Sequence, residues 1–231
     1  MLAKSPLVQT MPLALLGGTF DPVHFGHLRI ASETATSLKL PEVRLIPSKA
    51  PVHRTQPGAS ADQRLAMLRL AVAYFRGLTV DDRELRRDTP SYASLTLASL
   101  RAEFPLRPLI WFVGVDAFLR IKSWYEWPRL FELAHFVVLN RPGFAVSQVL
   151  SPALAEVWQG RLTRSADALC ATTHGHIYLH TVTPQAISAT EIRNTIAAGA
   201  DDSALVSLLP APVLAYIRAH QLYLPEKSPA L

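Results

Sequence analysis

The stretch LALLGGTFDPVHFGH, residues 13–27, starts as an apolar run and leaves it through two glycines, an Asp-Pro and two histidines separated by Phe25-Gly26. An apolar run ended by glycines reads as a buried strand, Leu13–Leu16, and the residues from Phe25 to Leu38 read as a helix. Strand, glycine turn and helix in that order open an α/β fold.

Outward from this unit the alternation repeats. Val43–Ile46 is a second strand, followed by a loop through Pro47, Pro51 and Pro57. Asp62 is placed to cap a helix running to Phe75, with Leu65, Leu68 and Val72 on one face. Leu109–Val113 and His135–Leu139 are further strands, and Ile177–Val182 is the last. The pattern predicts an α/β, Rossmann-like, mostly parallel sheet with crossover helices on both faces and a small helical C-terminal part. One domain spans residues 1–231, with a core from about 12 to 224 and frayed ends up to Thr10 and beyond Pro225. Residues 146–173 fit no element of the pattern and read as a candidate insertion. The loop from Ser48 to Ala61 is suited to closing over a substrate, though its prolines suit a rigid loop equally well.

Composition narrows the function. The chain is 49% hydrophobic and 18% charged, which excludes a disordered protein. A single cysteine, Cys170, rules out an internal disulfide and fits a reducing compartment. No apolar stretch reaches the length of a membrane span, and the start, MLAKSPLVQTM, does not read as a secretory signal. The expected location is the cytoplasm. A net charge of +5, carried mainly by scattered arginines with Arg83, Arg86 and Arg87 the tightest group, favours a small phosphate-bearing substrate over nucleic acid.

In a parallel sheet, ligands bind beyond the carboxyl ends of the strands. Gly17-Gly18-Thr19-Phe20, Gly114-Val115-Asp116 and Asn140-Arg141-Pro142-Gly143 all lie at such ends. Glycines after a strand let backbone N–H groups approach anionic oxygens, but a tight turn made for packing is the commoner reason for such a pair. His24 and His27 lie on one face of a helix start, where negative charge is already favoured. They read as phosphate donors, as a metal pair with Asp21 the nearest further ligand, or as structural side chains. Gly26 between them keeps a side chain from crowding a ligand.

A second constellation is ISATEIR, Ile187–Arg193. Ser188 and Glu191 match a capping box, which places a helix from Ala189 to Gly199. Capping does not explain Arg193, whereas a helix start presenting Ser188, Thr190 and Arg193 suits a di- or triphosphate. His174-Gly175-His176 and His180 have no carboxylate or cysteine cluster beside them and read as ordinary strand or loop histidines.

GGTFDPVHFGH near the start and ISATEIR near the end together resemble the HxGH nucleotidyltransferase superfamily. Distant members, the class I aminoacyl-tRNA synthetases, carry a lysine-rich loop in place of ISATEIR. Within the superfamily the chain closely resembles the bacterial nicotinate-nucleotide adenylyltransferases. The likeness extends through Pro47–Arg54, Asp82–Arg87, Pro90-Ser91-Tyr92, Gly114-Val115-Asp116, Ser123–Glu126, Asn140–Gly143 and Pro210–Val213.

The resemblance implies that ATP and nicotinate mononucleotide, with Mg²⁺, give deamido-NAD and pyrophosphate, without a covalent enzyme intermediate. The residues agree to the extent that no serine or cysteine stands beside an obvious base. Catalysis would then be positioning and electrostatic stabilisation. By the same resemblance His24, His27 and Arg193 are catalytic. ATP is bound by Gly17, Gly18, Thr19, Phe20, His24, His27, Asp116, Ser188, Thr190 and Arg193, with Asp116 on ribose hydroxyls. Nicotinate mononucleotide is bound by Thr19, Lys49, Ser91, Tyr92, Ala93, Trp124 and Tyr125, with the flat face of Trp124 under the pyridinium ring. No metal ligands are assigned. Ala93 replaces a threonine common in the family, so Ser94 or backbone takes over one contact to the base. Trp127 packs in the core. The competing readings are a sister enzyme using phosphopantetheine or nicotinamide mononucleotide, a nucleotide sensor, and an RNA-binding domain; the last lacks a basic stripe with aromatics.

Overall fold

The computed structural model describes residues 11–49 and 57–225. The chain ends expected to fray and residues 50–56 of the 48–61 loop, Pro51 among them, lie outside the described residues. Strands β1 (Leu13–Gly18), β2 (Val43–Pro47), β3 (Leu78–Val80), β4 (Leu109–Gly114), β5 (His135–Asn140), β6 (Leu162–Thr163) and β7 (Ile177–Thr181) form one sheet. Its order is β3-β2-β1-β4-β5-β7-β6, with every pairing parallel.

The helices are α1 (Phe25–Ser37), α2 (Ala61–Val72), α3 (Ala93–Glu103), α4 (Pro152–Arg161), α5 (Ala189–Ala197) and α6 (Ala211–Ala219), with single turns at Val115–Phe118, Leu130–Leu133 and Ala168–Ala171. Alternate strand residues point to opposite faces, and each face is buried. Ala14, Leu45, Ile110, Phe112 and Val137 meet Leu28, Met67, Ile192 and Ile217 of α1, α2, α5 and α6. Leu15, Ile46, Trp111, Val113 and Val138 meet Leu97, Leu100, Phe118, Leu130 and Trp158 on the other face. From β1 the chain crosses to β2 on one side and later returns to β4 on the other. The β1–β4 boundary is therefore the topological switch point where such sheets open a crevice. No helix among the described residues is long and apolar enough to cross a membrane.

Several local expectations are corrected. Ser60, not Asp62, caps α2: its side chain accepts from the Gln63 N–H while Gln63 reaches back to the Ser60 N–H. The helix stops at Val72, and its buried face is Arg64, Met67, Leu68 and Ala71 in place of Leu65, Leu68 and Val72. Residues 146–173 are a structured part of the fold. Their helix α4 buries Leu154 and Trp158, and Trp158 meets Phe118 edge-on at 5.5 Å, before β6 closes the sheet edge.

The histidines at 174 and 176 lie at the amino ends of the strands, opposite the crevice. His174 Nδ1 is 2.8 Å from the Thr173 hydroxyl. Nearby His135 is fully buried at the start of β5; its Nδ1 accepts from the His176 N–H at 3.0 Å, so the proton is on Nε2, which donates to Thr172 O at 2.9 Å. Burial pulls His135 down from 6.5 to about 4. Between those values the unfolded chain takes up a proton that the folded chain refuses. The stability is therefore complete above pH 6.5 and declines as the pH drops toward 4, by about 3 kcal/mol in all. Urea-unfolding free energies measured from pH 7 to 4 should fall more steeply for the wild type than for His135→Gln. Parallel slopes would show that His135 titrates normally.

Candidate active site

The crevice begins where β1 ends. A Cβ on Gly17 would come within 2.8 Å of the Trp111 ring, and one on Gly18 within 2.9 Å of the Phe20 ring. The bare Cα atoms are thus required by aromatic packing, which the sequence could not reveal because Trp111 belongs to β4. Phe20 takes a left-handed φ of 50° with its ring 1% exposed; a bulky residue holds that conformation only because the surroundings grip its side chain. The Asp21–Pro22 peptide bond is cis.

His24 is the N-cap residue of α1, and its carbonyl accepts from the His27 and Leu28 N–H groups. The two imidazoles stack with centroids 3.7 Å apart, and Phe20 meets His27 edge-on at 5.1 Å. His24 Nδ1 is buried without a hydrogen-bond partner, which leaves Nε2 as its nitrogen for a ligand. Burial pulls His24 down to about 4, so its ring is neutral at pH 7 and meets an anion as an N–H donor. Gly26 serves this arrangement directly. A Cβ there would lie 2.9 Å from His24 Nδ1 and 3.5 Å from the Ile187 side chain, so the glycine clears His24 and lets the second loop close on the first.

Arg193 joins the two loops. Its Nη1 donates to Asp21 O at 2.7 Å and lies 3.7 Å from Asp21 Oδ2, while Nη2 donates to the Thr190 hydroxyl at 3.3 Å. Asp21, 6% exposed, also accepts from the N–H groups of Gly58 and Ala59 and from the Tyr223 hydroxyl. The capping box expected at Ser188 is not formed: the backbone is extended as at an N-cap, but the hydroxyl makes no bond to the helix. The loop leading into α5 is tied to α1 by Thr183, whose N–H and hydroxyl donate to Glu33 Oε1 at 3.1 and 2.8 Å. The Ser188 hydroxyl and the first-turn amides of α5 are open to a ligand.

Arg64, which sequence reasoning missed, ties this turn to the end of β2. Only 1% exposed, it donates to Thr19 O at 2.6 Å, Ser48 O at 2.8 Å and Lys49 O at 3.1 Å. The detectable signal was an arginine in the 64/67/68/71 spacing of a buried helix face. Beyond it the Lys49 N–H donates to the Ser91 hydroxyl at 2.9 Å, so one chain of bonds runs from the glycine turn to the Ser91 loop. The Lys49 ammonium donates to Arg87 O at 2.6 Å and pairs with Asp88, which is where its charge is directed.

Tyr92 is the N-cap residue of α3 and stacks on Tyr125, with centroids 4.7 Å apart. Trp124 and Trp127 are both half-buried against the second core face, where Trp127 meets Phe131 edge-on; Trp127 thus lines the rim of the core where full burial was expected. Beneath Tyr92, buried Glu84 accepts from Thr96, which in turn accepts from Arg87. Burial pushes the Glu84 carboxyl up. Ser94 is fully enclosed with no partner for its hydroxyl, so it does not stand in for the threonine lost at Ala93; the α3 backbone remains. Asp116, in the turn after β4, pairs with Arg141 from the end of β5, a partner that sequence reasoning had not assigned to the site.

The arrangement offers N–H donors, a guanidinium and helix starts around one crevice, which is chemistry for polyphosphate. Comparison with known proteins agrees. The cytidylyltransferase-like family model matches residues 15–195. A protein of Aeromonas salmonicida named “Probable nicotinate-nucleotide adenylyltransferase” is 46% identical over 92% of this chain and 97% of its own length. One of the same name from Pseudomonas entomophila is 46% identical over 91% and 94%. Among solved structures, nicotinic acid mononucleotide adenylyltransferase of Plasmodium falciparum complexed with NaAD superposes with a TM-score of 0.68. It is 16% identical and covers 92% of this chain and 97% of its own, a likeness of fold.

Proposed function

Because the chain belongs to the nicotinate-nucleotide adenylyltransferases of the cytidylyltransferase-like family, we propose that it transfers the adenylyl group of ATP to nicotinate mononucleotide, giving deamido-NAD and pyrophosphate in NAD synthesis. The observation that carries this reading is the Arg193–Asp21 bond, which joins the two loops best suited to phosphate.

A phosphate oxygen of the mononucleotide attacks the α-phosphorus of ATP in line. The new O–P bond forms as the α–β bridging bond breaks, and its electron pair leaves with pyrophosphate. No protein atom is adenylylated. ATP enters as its Mg²⁺ complex, the metal offsetting phosphate charge. Asp21 is fully engaged by Gly58, Ala59 and Tyr223, so it is not offered as a metal ligand. His24 and His27 donate to the oxygens that gain charge, and Gly17, Gly18, Thr19 and Phe20 shape the turn beneath them. Arg193, Ser188 and Thr190 hold the leaving β- and γ-phosphates, and Asp116 accepts from ribose hydroxyls once Arg141 releases it.

On the acceptor side Thr19 flanks the mononucleotide phosphate, joined by Lys49 once its ammonium leaves Arg87 O and Asp88, while Ser91, Tyr92, Ala93, Trp124 and Tyr125 form the cradle for the base. The Tyr92–Tyr125 pair, with Tyr125 exposed, and the Trp124 face supply stacking, and backbone N–H groups at the start of α3 meet the carboxylate. N–H donors suit a carboxylate and leave an amide's own donor unpaired. Pyrophosphate release with ATP and Mg²⁺ should therefore be far faster with nicotinate mononucleotide than with nicotinamide mononucleotide. Equal rates would overturn the acceptor, and no turnover with either would overturn the enzyme.

A further inference from the structure

The described chain ends in a turn that returns to the candidate site. After α6 the backbone of Leu222 bonds back to Ile217 O at 3.0 Å, and its side chain is buried in the core. Gln221 and Tyr223, on either side, take left-handed φ values of 52° and 64°, which swing Tyr223 away from the α6 axis. Its phenol then donates to Asp21 Oδ1 at 2.9 Å, across 202 residues of sequence. Its ring lies over Gly58: a Cβ there would be 3.0 Å from the ring and 3.6 Å from Arg193 Cδ. Four segments meet at this point, carrying Asp21, Gly58-Ala59, Arg193 and Tyr223.

We propose that Tyr223 is a positioning residue for the triphosphate side of the site: its hydroxyl orients the Asp21 carboxylate, and Asp21 in turn sets Arg193 and the backbone at Gly58. Among the described residues the hydroxyl is the side-chain donor within hydrogen-bond distance of the Asp21 carboxylate, with Arg193 3.7 Å from it. The Gly58 N–H takes Oδ2 and the Ala59 N–H shares Oδ1 with the phenol, so the carboxylate plane is held from both oxygens. Arg193 Nη1 donates to the main-chain carbonyl of the same residue and lies 3.7 Å from Oδ2, so a rotation of the carboxylate takes the charge away from the guanidinium. Burial and the Asp21 charge push the phenol up, so it stays protonated and donating throughout the neutral range. On the acceptor side Ser91, Tyr92 and Tyr125 belong to other elements, and none of their bonds passes through Asp21.

The inference rests on the proposed adenylyl transfer, and its test keeps the two apart. Tyr223→Phe retains the ring over Gly58 and removes the hydroxyl alone. Losing one hydrogen bond to a charged group corresponds to about a tenfold change. Tyr223→Phe should thus weaken ATP binding, measured calorimetrically without acceptor, about tenfold, and raise KM for ATP to match. KM for nicotinate mononucleotide should move less than about twofold. In an Asp21→Asn background the same change should add little, since its effect runs through that carboxylate. ATP affinity unchanged in Tyr223→Phe, even with a lowered Tm, would overturn the proposal, as would full multiplication of the two effects. Wild-type protein that binds ATP yet turns over no acceptor would instead overturn the adenylyl-transfer reading alone.

Discussion

His27→Ala is expected to lower turnover by about 10²–10³ while the protein stays folded, the usual cost of removing one donor to oxygens that gain charge in the transition state. The fold should survive because α1 is anchored by Leu28, Ala31 and Thr34, and alanine is the better helix former. His27 is the cleaner probe of the pair. His24 is nearly enclosed at the N-cap, and replacing it would disturb both the stack and the Gly26 approach. His27→Gln, which keeps an N–H at similar reach, should recover part of the rate. The measurements are kcat under saturating substrates and a thermal melt of each variant. A near-normal kcat for His27→Ala would reduce the histidine to a stacking partner of His24 and Phe20.

The sheet was legible because its central strands are buried on both faces and so appear as unbroken apolar runs, as in β4, where Leu109–Val113 are all buried. Strands β3 and β6 were missed for the opposite reason: three and two residues carry no periodicity. At the site, the histidines and Arg193 were legible as motifs of suitable chemistry at two separate places. What joins them was not. Arg64 bonds Thr19 across 45 residues, and Tyr223 bonds Asp21 across 202, so their roles exist only once the chain has folded. Ser188 shows the converse error. A local pattern fits a capping box, but in the folded chain the hydroxyl makes no bond to the helix. For Gly17 and Gly18 packing was the commoner reading from sequence, and the rings of Trp111 and Phe20 supply it, though which rings they are could not be read from the chain.

Arg64→Met is expected to produce the largest combined loss of stability and activity. The guanidinium makes three bonds to carbonyls of two different strand-end loops, and hydrogen bonds to charged groups contribute about 1.5–3 kcal/mol each. Relief of guanidinium desolvation and rehydration of the partly exposed carbonyls offset some of that, so the net cost is about 4 kcal/mol. A domain with about 5–15 kcal/mol in hand remains folded at low temperature, which makes the second effect measurable. Thr19 and Lys49 lie on loops that Arg64 holds in register, one on the side of the histidines and one on the side of Ser91. A shift of about 1 Å between reacting groups costs about 10² in rate. Arg64→Met should accordingly lose about that factor in kcat/KM at temperatures where it is fully folded. Arg64→Lys keeps the charge but reaches fewer of the three carbonyls, and should fall between the two in both properties. Urea unfolding and kcat/KM for both substrates, measured on the same preparations, separate the effects. A folded Arg64→Met protein with wild-type kcat/KM would show that the two loops keep their places without the arginine.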